Sequence, residues 1–320
     1  MPRPEGPRVV AFGGGTGMSC LLSGLKQYPG QLTAIVTVTD NGGSSGRLRK
    51  DFDMVPPGDI RSCLLALAEA EPLLAQALDY RFEESDLRGH SFGNLFITVL
   101  TRVTGSFDLA IRELNRLLKV RGKVLPATGT KVTLIAHHPG GDKSTGEVQI
   151  GAAGLPIDRV EIRPRVGPVA DDVAQALVEA DIMLFGPGSL FTSVIPNLLV
   201  PGVRERVLAN PCPKVYIANI MTQPGETSGM SLLEHVDALE RHARCQFVSA
   251  VVLHAGEIDA ERLERYSRDG AIPVRGGVAD LAMREVEVVT GDLLDPGAGP
   301  IRHSSVKLAS LIHDTFLCRV

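Results

Sequence analysis

The feature that most constrains this chain is an apolar run, Val9-Val10-Ala11-Phe12, that ends in Gly13-Gly14-Gly15-Thr16-Gly17. A helix-like pattern follows from Ser19 to about Tyr28, so the stretch reads as strand, turn and helix. Glycines let the backbone turn tightly and approach a bound group, because no Cβ intervenes. The helix behind them points unpaired N–H groups and a partial positive charge into the turn, where a phosphate or diphosphate is the usual occupant. The spacing begins as G-x-G-x-x-G, but its sixth position is Met18, and no Gly-Lys-Ser/Thr closes it as a P-loop. An anion site and a bare tight turn both satisfy the stretch taken alone.

The rest of the chain decides between them. Residues 32–39 are apolar and β-branched, a buried strand, and lead into Asp40-Asn41-Gly42-Gly43-Ser44-Ser45-Gly46-Arg47. Pro56-Pro57-Gly58 breaks the chain, and Asp59 is placed to cap the helix that starts at Ile60. Residues 72–120 read as helical, interrupted by Gly89-His90-Ser91-Phe92-Gly93-Asn94. Residues 123–163 read as short strands, at 132–135, 148–150 and 160–162, with a hairpin tip at 142–146. From 168 a strand–helix alternation returns, with strands at 182–185, 214–217 and 247–253 and a last helix over 305–316. That alternation predicts an α/β fold with a doubly wound, mostly parallel sheet, one domain over 8–320 with 123–163 as a small lobe or sheet extension.

In such sheets ligands bind beyond the carboxyl ends of the strands. Five predicted strand ends are rich in Gly, Ser, Thr, Asn or Asp, at 13–17, 40–46, 186–189, 219–227 and 254–256. Together they predict a pocket for an elongated, phosphate-bearing ligand. Asp40 lies roughly twenty residues past the glycine turn, where a dinucleotide site puts its ribose carboxylate. An NAD-dependent oxidoreductase is therefore one reading, although no acid/base partner for hydride transfer is evident. Asp40 and Asp59 could alternatively share one Mg²⁺ bridging phosphates. His90 could act as a general acid or base, but beside Gly and Ser it reads first as a hydrogen-bonded loop residue. His137 and His138 precede a Pro-Gly-Gly turn and are expected to be exposed. Gly186-Pro187-Gly188-Ser189 is no nucleophile elbow, and the Ser189 hydroxyl suits a phosphate or ribose better.

Composition narrows the classes. A net charge of −4 argues against a general nucleic-acid binder, and 4% aromatics with no tryptophan make a poor base-stacking platform. Cys20, Cys63, Cys212, Cys245 and Cys318 are scattered without a C-x-x-C, as in a reducing compartment. Residues 1–7 read as a loose tip rather than a signal peptide, and no membrane span is read. A cytoplasmic protein is expected.

Taken in order, the motifs carry a resemblance. Gly13-Gly14-Gly15-Thr16-Gly17, the 40–47 segment, Gly58-Asp59-Ile60-Arg61 and the 89–94 segment are followed by Gly186-Pro187-Gly188-Ser189-Leu190-Phe191-Thr192-Ser193. Met221-Thr222-Gln223-Pro224-Gly225-Glu226-Thr227 and Ile301-Arg302-His303 complete the set. Over about residues 8–317 the chain resembles the YvcK family, the bacterial gluconeogenesis-factor branch of the CofD-like superfamily. The resemblance implies a Rossmann-like fold, a link to cell shape, envelope synthesis and growth on gluconeogenic carbon, and binding of UDP-sugars, UDP-N-acetylglucosamine in particular. No reaction is established for that branch. The CofD branch transfers a phospholactyl group from a guanosine-diphosphate donor with Mg²⁺, which leaves a transferase as the alternative and Mg²⁺ as the cofactor in view.

Carried over, the tyrosine and arginine tied to UDP-sugar binding match Tyr266 and Arg302, and the metal carboxylates match Asp40 and Asp59. The expected ligand contacts are thus Gly13, Gly14, Gly15, Thr16, Gly17, Asp40, Asn41, Ser44, Ser45, Asp59, Asn94, Gly188, Ser189, Asn197, Gln223, Tyr266 and Arg302. The family pattern has Asp-Asp where this chain has Asp40-Asn41, and some relatives carry a phosphorylated threonine where this chain has Ser304-Ser305. A protein partner and a homo-oligomer stay open.

Overall fold

A computed structural model describes residues 6–319. Residues 1–5 of the expected loose tip lie outside the described residues. Pro7 is already anchored, its carbonyl accepting the Gln31 N–H at 2.9 Å.

The strands are β1 (Arg8–Gly13), β2 (Gln31–Val36), β3 (Lys123–Pro126), β4 (Thr133–His137), β5 (Lys143–Thr145), β6 (Arg159–Arg163), β7 (Ile182–Phe185), β8 (Lys214–Ile217), β9 (Ala250–His254) and β10 (Glu287–Gly291). Seven of them form one sheet in the order β10-β9-β8-β7-β1-β2-β3, every pairing parallel. Side chains alternate across it because a strand repeats every two residues. Val10, Phe12, Met183, Phe185, Tyr216 and Val251 point into one core, and Val9, Ala11, Ile182, Leu184, Val215 and Val252 into the other. Both faces are covered at the centre, so β1, β7, β8 and β9 are largely apolar rather than alternating in polarity. Helices Gly15–Leu25, Gly58–Leu67 and Ser305–Thr315 close one side, and Asp171–Glu179, Val203–Ala209 and Leu232–Ala243 the other. Phe12 and Phe185 stack at 4.7 Å between ring centroids in the middle of the second of these sides.

The chain runs outward from β1 to β2 and β3, then returns to β7 on the other side of β1 and continues outward to β10. The strand order therefore reverses between β1 and β7, and the crevice at their carboxyl ends is the place where α/β sheets bind ligands.

The remaining strands make an antiparallel sheet in the order β5-β4-β6, packed on the Phe12 side through Leu134, Ala136 and Val160. This small sheet is narrower than the expected 123–163 extension, because β3 pairs with β2 at the edge of the main sheet. Residues 148–150 form no strand: they lie in the helix Glu147–Ala153, entered through Gly146 at φ +93° and left through Gly154 at φ +64°. His138 is not exposed. It is 5% accessible, with Nδ1 at 2.9 Å from Pro156 O and Nε2 at 2.8 Å from Ser144 Oγ. The polar stretch after β2 is helical over Gly43–Asp51, with Ser44, Ser45 and Leu48 buried.

Candidate functional site

At the reversal between β1 and β7 lies a cavity of about 770 Å³. Its floor is the glycine turn. Gly14 is extended and Gly15 takes φ +63°, so the helix begins at Gly15, four residues earlier than the apolar pattern suggested, and Thr16 and Gly17 sit in its first turn. Early helical N–H groups have no partner within the helix; here Asp59 takes that of Gly15, and Gly14, Gly15, Thr16 and Gly17 line the cavity. Gly17 has a second reason to be glycine. A Cβ there would lie 2.6 Å from Pro187 O, so the helix and the loop after β7 pass backbone against backbone.

That loop is held by side-chain amides. Gly188 N–H donates to Asn219 Oδ1 at 3.1 Å, and Asn219 Nδ2 donates to Gly188 O at 2.9 Å and Gln223 Oε1 at 3.1 Å. Gln223 Nε2 then donates to Ser189 Oγ at 2.8 Å. Gly188, Ser189 and Gln223 thus line the cavity as one hydrogen-bonded unit whose keystone is Asn219, a residue read in the sequence only as the end of a strand.

A further wall is a loop over 295–302. Its ends are paired through Asp295 N–H to Arg302 O at 2.9 Å. The helix Ala260–Arg268 grips it: Arg262 donates to Asp295 O at 3.2 Å and Pro300 O at 3.0 Å, and the Tyr266 hydroxyl accepts Ile301 N–H at 3.0 Å. Tyr266 and Arg302, far apart in sequence, therefore face the same cavity. Among the described residues the Arg302 guanidinium has no hydrogen bond or ion pair, and it is the one Lys or Arg lining the cavity.

Carboxylates complete the site. Asp59 was expected to cap its helix, but the cap position is Pro57. Asp59 lies in the first turn and lines the cavity beside Gly15. Burial, then the Asp40 charge, pushes Asp59 up to about 7, against the Gly15 N–H and Arg61. Burial, then Asp59, Asp40 and Glu226, pushes Glu147 up to about 9. Burial pushes Glu226 up to about 7 against the Thr192 hydroxyl, which donates to it at 3.1 Å. Glu147 Oε2 and Glu226 Oε2 are buried with no hydrogen-bond partner. Glu147 carried no sequence signal, because it reaches the cavity only when the small sheet folds back on the main one. Glu226 was visible inside the 221–227 motif, but without a role.

Several expected contacts do not line the cavity. Gly13 ends β1, its carbonyl accepting Thr37 N–H at 2.9 Å. Asp40 accepts Gly42 N–H at 2.8 Å and acts on Asp59 and Glu147 through charge. Asn41 ties the small lobe down, accepting Val148 N–H at 3.0 Å and donating to Gln149 Oε1 at 2.8 Å. Ser44, His90 and Asn94 form a buried cluster, with Ser44 Oγ 3.1 Å from His90 Nδ1 and 3.2 Å from Asn94 Nδ2. Ser45 is buried with its hydroxyl against Gly58. Asn197 is fully buried and donates to Ser193 O at 2.8 Å and Val194 O at 3.2 Å. Of the five polar strand ends, those at 13–17, 186–189 and 219–227 contribute lining residues, and those at 40–46 and 254–256 do not.

Among the described residues no three His, Cys, Asp or Glu side chains gather to hold a metal ion. Asp59, Glu147 and Asp295 bring acidic groups to a cavity that also holds the glycine turn and Arg302. Such a pairing works if the carboxyls keep their protons or if a divalent cation stands between them and the ligand's phosphates, as Mg²⁺ does with one or two carboxylates plus phosphate oxygens.

Known proteins share this chain's sequence and fold. The protein-family model described as 2-phospho-L-lactate transferase CofD matches residues 9–294. The chain is 43% identical over 310 residues to the gluconeogenesis factor of Bacillus subtilis strain 168, covering 96% of this chain and 98% of that protein. It is 43% identical to the gluconeogenesis factor of Halalkalibacterium halodurans, covering 95% of each. A crystal structure of a member of the UPF0052 family from Bacillus halodurans superposes with a TM-score of 0.92 at 42% identity, covering 95% of this chain and 98% of that one.

Proposed function

This chain belongs to the CofD family, in its gluconeogenesis-factor branch, and from that premise we propose that it binds a nucleoside-diphosphate sugar, of the UDP-N-acetylglucosamine type, as a regulatory protein of carbon and envelope metabolism in the cytoplasm. The observation that carries this reading is the meeting of two anion-binding elements in the lining of one cavity. The glycine turn offers neutral N–H donors at a helix start, and Arg302 offers an unpaired guanidinium. Together they fit a diphosphate, with the Arg302 bond charge-assisted and bidentate. The ring of Tyr266, whose hydroxyl is already committed to Ile301, is left to stack on a ring of the ligand. A cavity of about 770 Å³ is of the size that small-molecule sites have.

The raised carboxyls supply the second reading. Mg²⁺ held near Asp59, with Asp40 close behind it, would neutralise phosphate charge and polarise a phosphoryl group, as a CofD-type transferase requires. Asp59 and Glu147 would release protons when it binds. The dinucleotide reading loses its main support, because Asp40 is bonded to Gly42 N–H and does not line the cavity.

Calorimetric titration of UDP-N-acetylglucosamine and of GDP, each with Mg²⁺ and with EDTA, tests these readings. UDP-N-acetylglucosamine should bind the parent and bind Arg302→Ala or Tyr266→Ala at least about tenfold more weakly, from bonds worth ~1.5–3 kcal/mol and stacking worth ~1–3 kcal/mol. Unchanged affinity in both variants would remove the site assignment. A parent that ignores UDP-sugars and binds GDP only with Mg²⁺ would make it a transferase.

A further inference from the structure

A second cavity, of about 610 Å³, lies away from the first, between β6, the 198–205 segment and the last turn of the helix Leu232–Ala243. Six arginines line it: Arg159, Arg163, Arg165, Arg204, Arg241 and Arg244. They face three carboxylates, Asp158, Glu161 and Glu205. The excess of positive charge here stands against a whole-chain net charge of −4, so the cavity is not a sample of the average surface.

Four of the arginines are engaged. Arg159 and Arg163 share Glu161, at 3.7 and 3.3 Å, Arg204 meets Glu205 at 2.7 Å, and Arg241 meets Asp158 at 3.3 Å. The side chains of the other two, Arg165 and Arg244, have no hydrogen bond or ion pair among the described residues. The backbone of Arg244 is held, because it ends its helix at φ +59° with its N–H on the Arg241 and Glu240 carbonyls, and its side chain is exposed. His242 adds no charge that would vary. Its Nε2 accepts Val160 N–H at 2.9 Å, so that nitrogen carries no proton. An apolar floor of Val166, Leu198 and Val200 lowers the local dielectric under the guanidiniums. Concave, low-dielectric walls of one sign focus the field on what enters, and guanidinium groups match phosphate and carboxylate oxygens two at a time.

From the two uncommitted guanidiniums in a concave, net-positive cavity, we propose that this cleft is a second ligand site, which takes a compact small molecule bearing at least two phosphate or carboxylate groups. It shares no lining residue with the first cavity, so both ligands can be held at once.

Sodium pyrophosphate and citrate are the probes, each at fixed ionic strength. Phenylglyoxal labelling of arginines, read residue by residue by mass spectrometry, separates the two cavities because Arg302 reports on the first. At least one probe should slow the labelling of Arg165, Arg244 and Arg204 in the parent by several-fold. In the double variant Arg165→Gln with Arg244→Asn, the second change chosen because asparagine tolerates positive φ, protection of Arg204 should need more than tenfold more anion. Circular dichroism identical to the parent establishes that this variant folds. Protection by pyrophosphate alone assigns a phosphate ligand, and protection by both probes assigns anions of either kind. The proposal is overturned if Arg165 and Arg244 react at the same rate with and without both probes. It is equally overturned if all arginines slow together, or if only a glutamate-rich peptide protects them, which would make the cleft a protein-docking surface.

Discussion

Replacing Gly17 by alanine tests the packing on which the first cavity depends. The added methyl would lie 2.6 Å from Pro187 O, 2.9 Å from its carbonyl carbon and 3.2 Å from Gly188 N. Ordinary contact begins near 3.4 Å, so one backbone must retreat by about 0.8 Å. Neither can do so freely. Gly186 N–H is bonded to Phe12 O at 2.9 Å, and Gly188 is clamped on both sides by Asn219. Overpacking of this kind costs roughly 1–3 kcal/mol, which at this chain length lowers the melting temperature by roughly 1.5–4.5 °C. The same retreat moves the N–H groups of the glycine turn away from the Gly188 side of the cavity. If a diphosphate spans the two, at least one charge-assisted bond is lost and affinity falls about tenfold or more.

Gly15→Ala is the comparison for stability alone. Its Cβ would meet nothing nearer than Asp59 Oδ1 at 3.8 Å, but φ is +63°, so it costs a comparable ~1–2 kcal/mol through backbone strain rather than a clash. Differential scanning fluorimetry reads the stability of both variants, and calorimetry with UDP-N-acetylglucosamine reads the affinity of Gly17→Ala. If Gly17→Ala melts with the parent, the close approach of helix and loop is not tight, and the reasoning fails whatever the ligand proves to be.

Stability should fall as pH rises from 7 to 9. Glu147 folds with its ionisation pushed up to about 9, and Asp59 and Glu226 with theirs at about 7, so the folded state holds protons that the unfolded chain has released. His303, pushed down to about 4 by burial, opposes this only below about 6.5, where the unfolded chain takes up its proton. Urea unfolding at pH 7, 8 and 9 should show the decline, and Glu147→Gln should flatten it; an equally steep slope in that variant would refute the assignment. Tyr266→Phe removes only the acceptor for Ile301 N–H and should cost ~0.5–1.5 kcal/mol. Hydrogen exchange over 295–302 should rise in it, and rise further in Arg262→Met, which frees two carbonyls of that loop. Asn41→Ala cuts two bonds to the helix Glu147–Ala153, so proteolysis near residue 147 should speed up while the melting temperature of the main fold moves little; an unchanged cleavage pattern would mean that other contacts hold that helix.

The sequence by itself determined what depends on neighbours along the chain. The β1 run, the glycine turn and the strand–helix alternation are local patterns of burial and backbone freedom, and they specify a parallel, doubly wound sheet with a site at its carboxyl edge. The motifs at 186–189 and 221–227 were legible for the same reason, since glycine, proline and short polar side chains at strand ends have few other uses. Tertiary structure decided which polar groups line the cavity and which bond elsewhere in the protein. Asn41, Ser44, Asn94 and Asn197 look like ligand contacts in a string of residues, yet each hydrogen-bonds to protein groups and lies off the cavity lining, while the buried Oδ1 atoms of Asn94 and Asn197 keep no partner. Glu147 shows the converse. It lies on a segment that alternates like a strand and folds as a helix, and its carboxyl enters the cavity only because the β5-β4-β6 sheet packs back on the main core. No local pattern encodes that approach, since the meeting of groups from distant segments is fixed by how the layers pack.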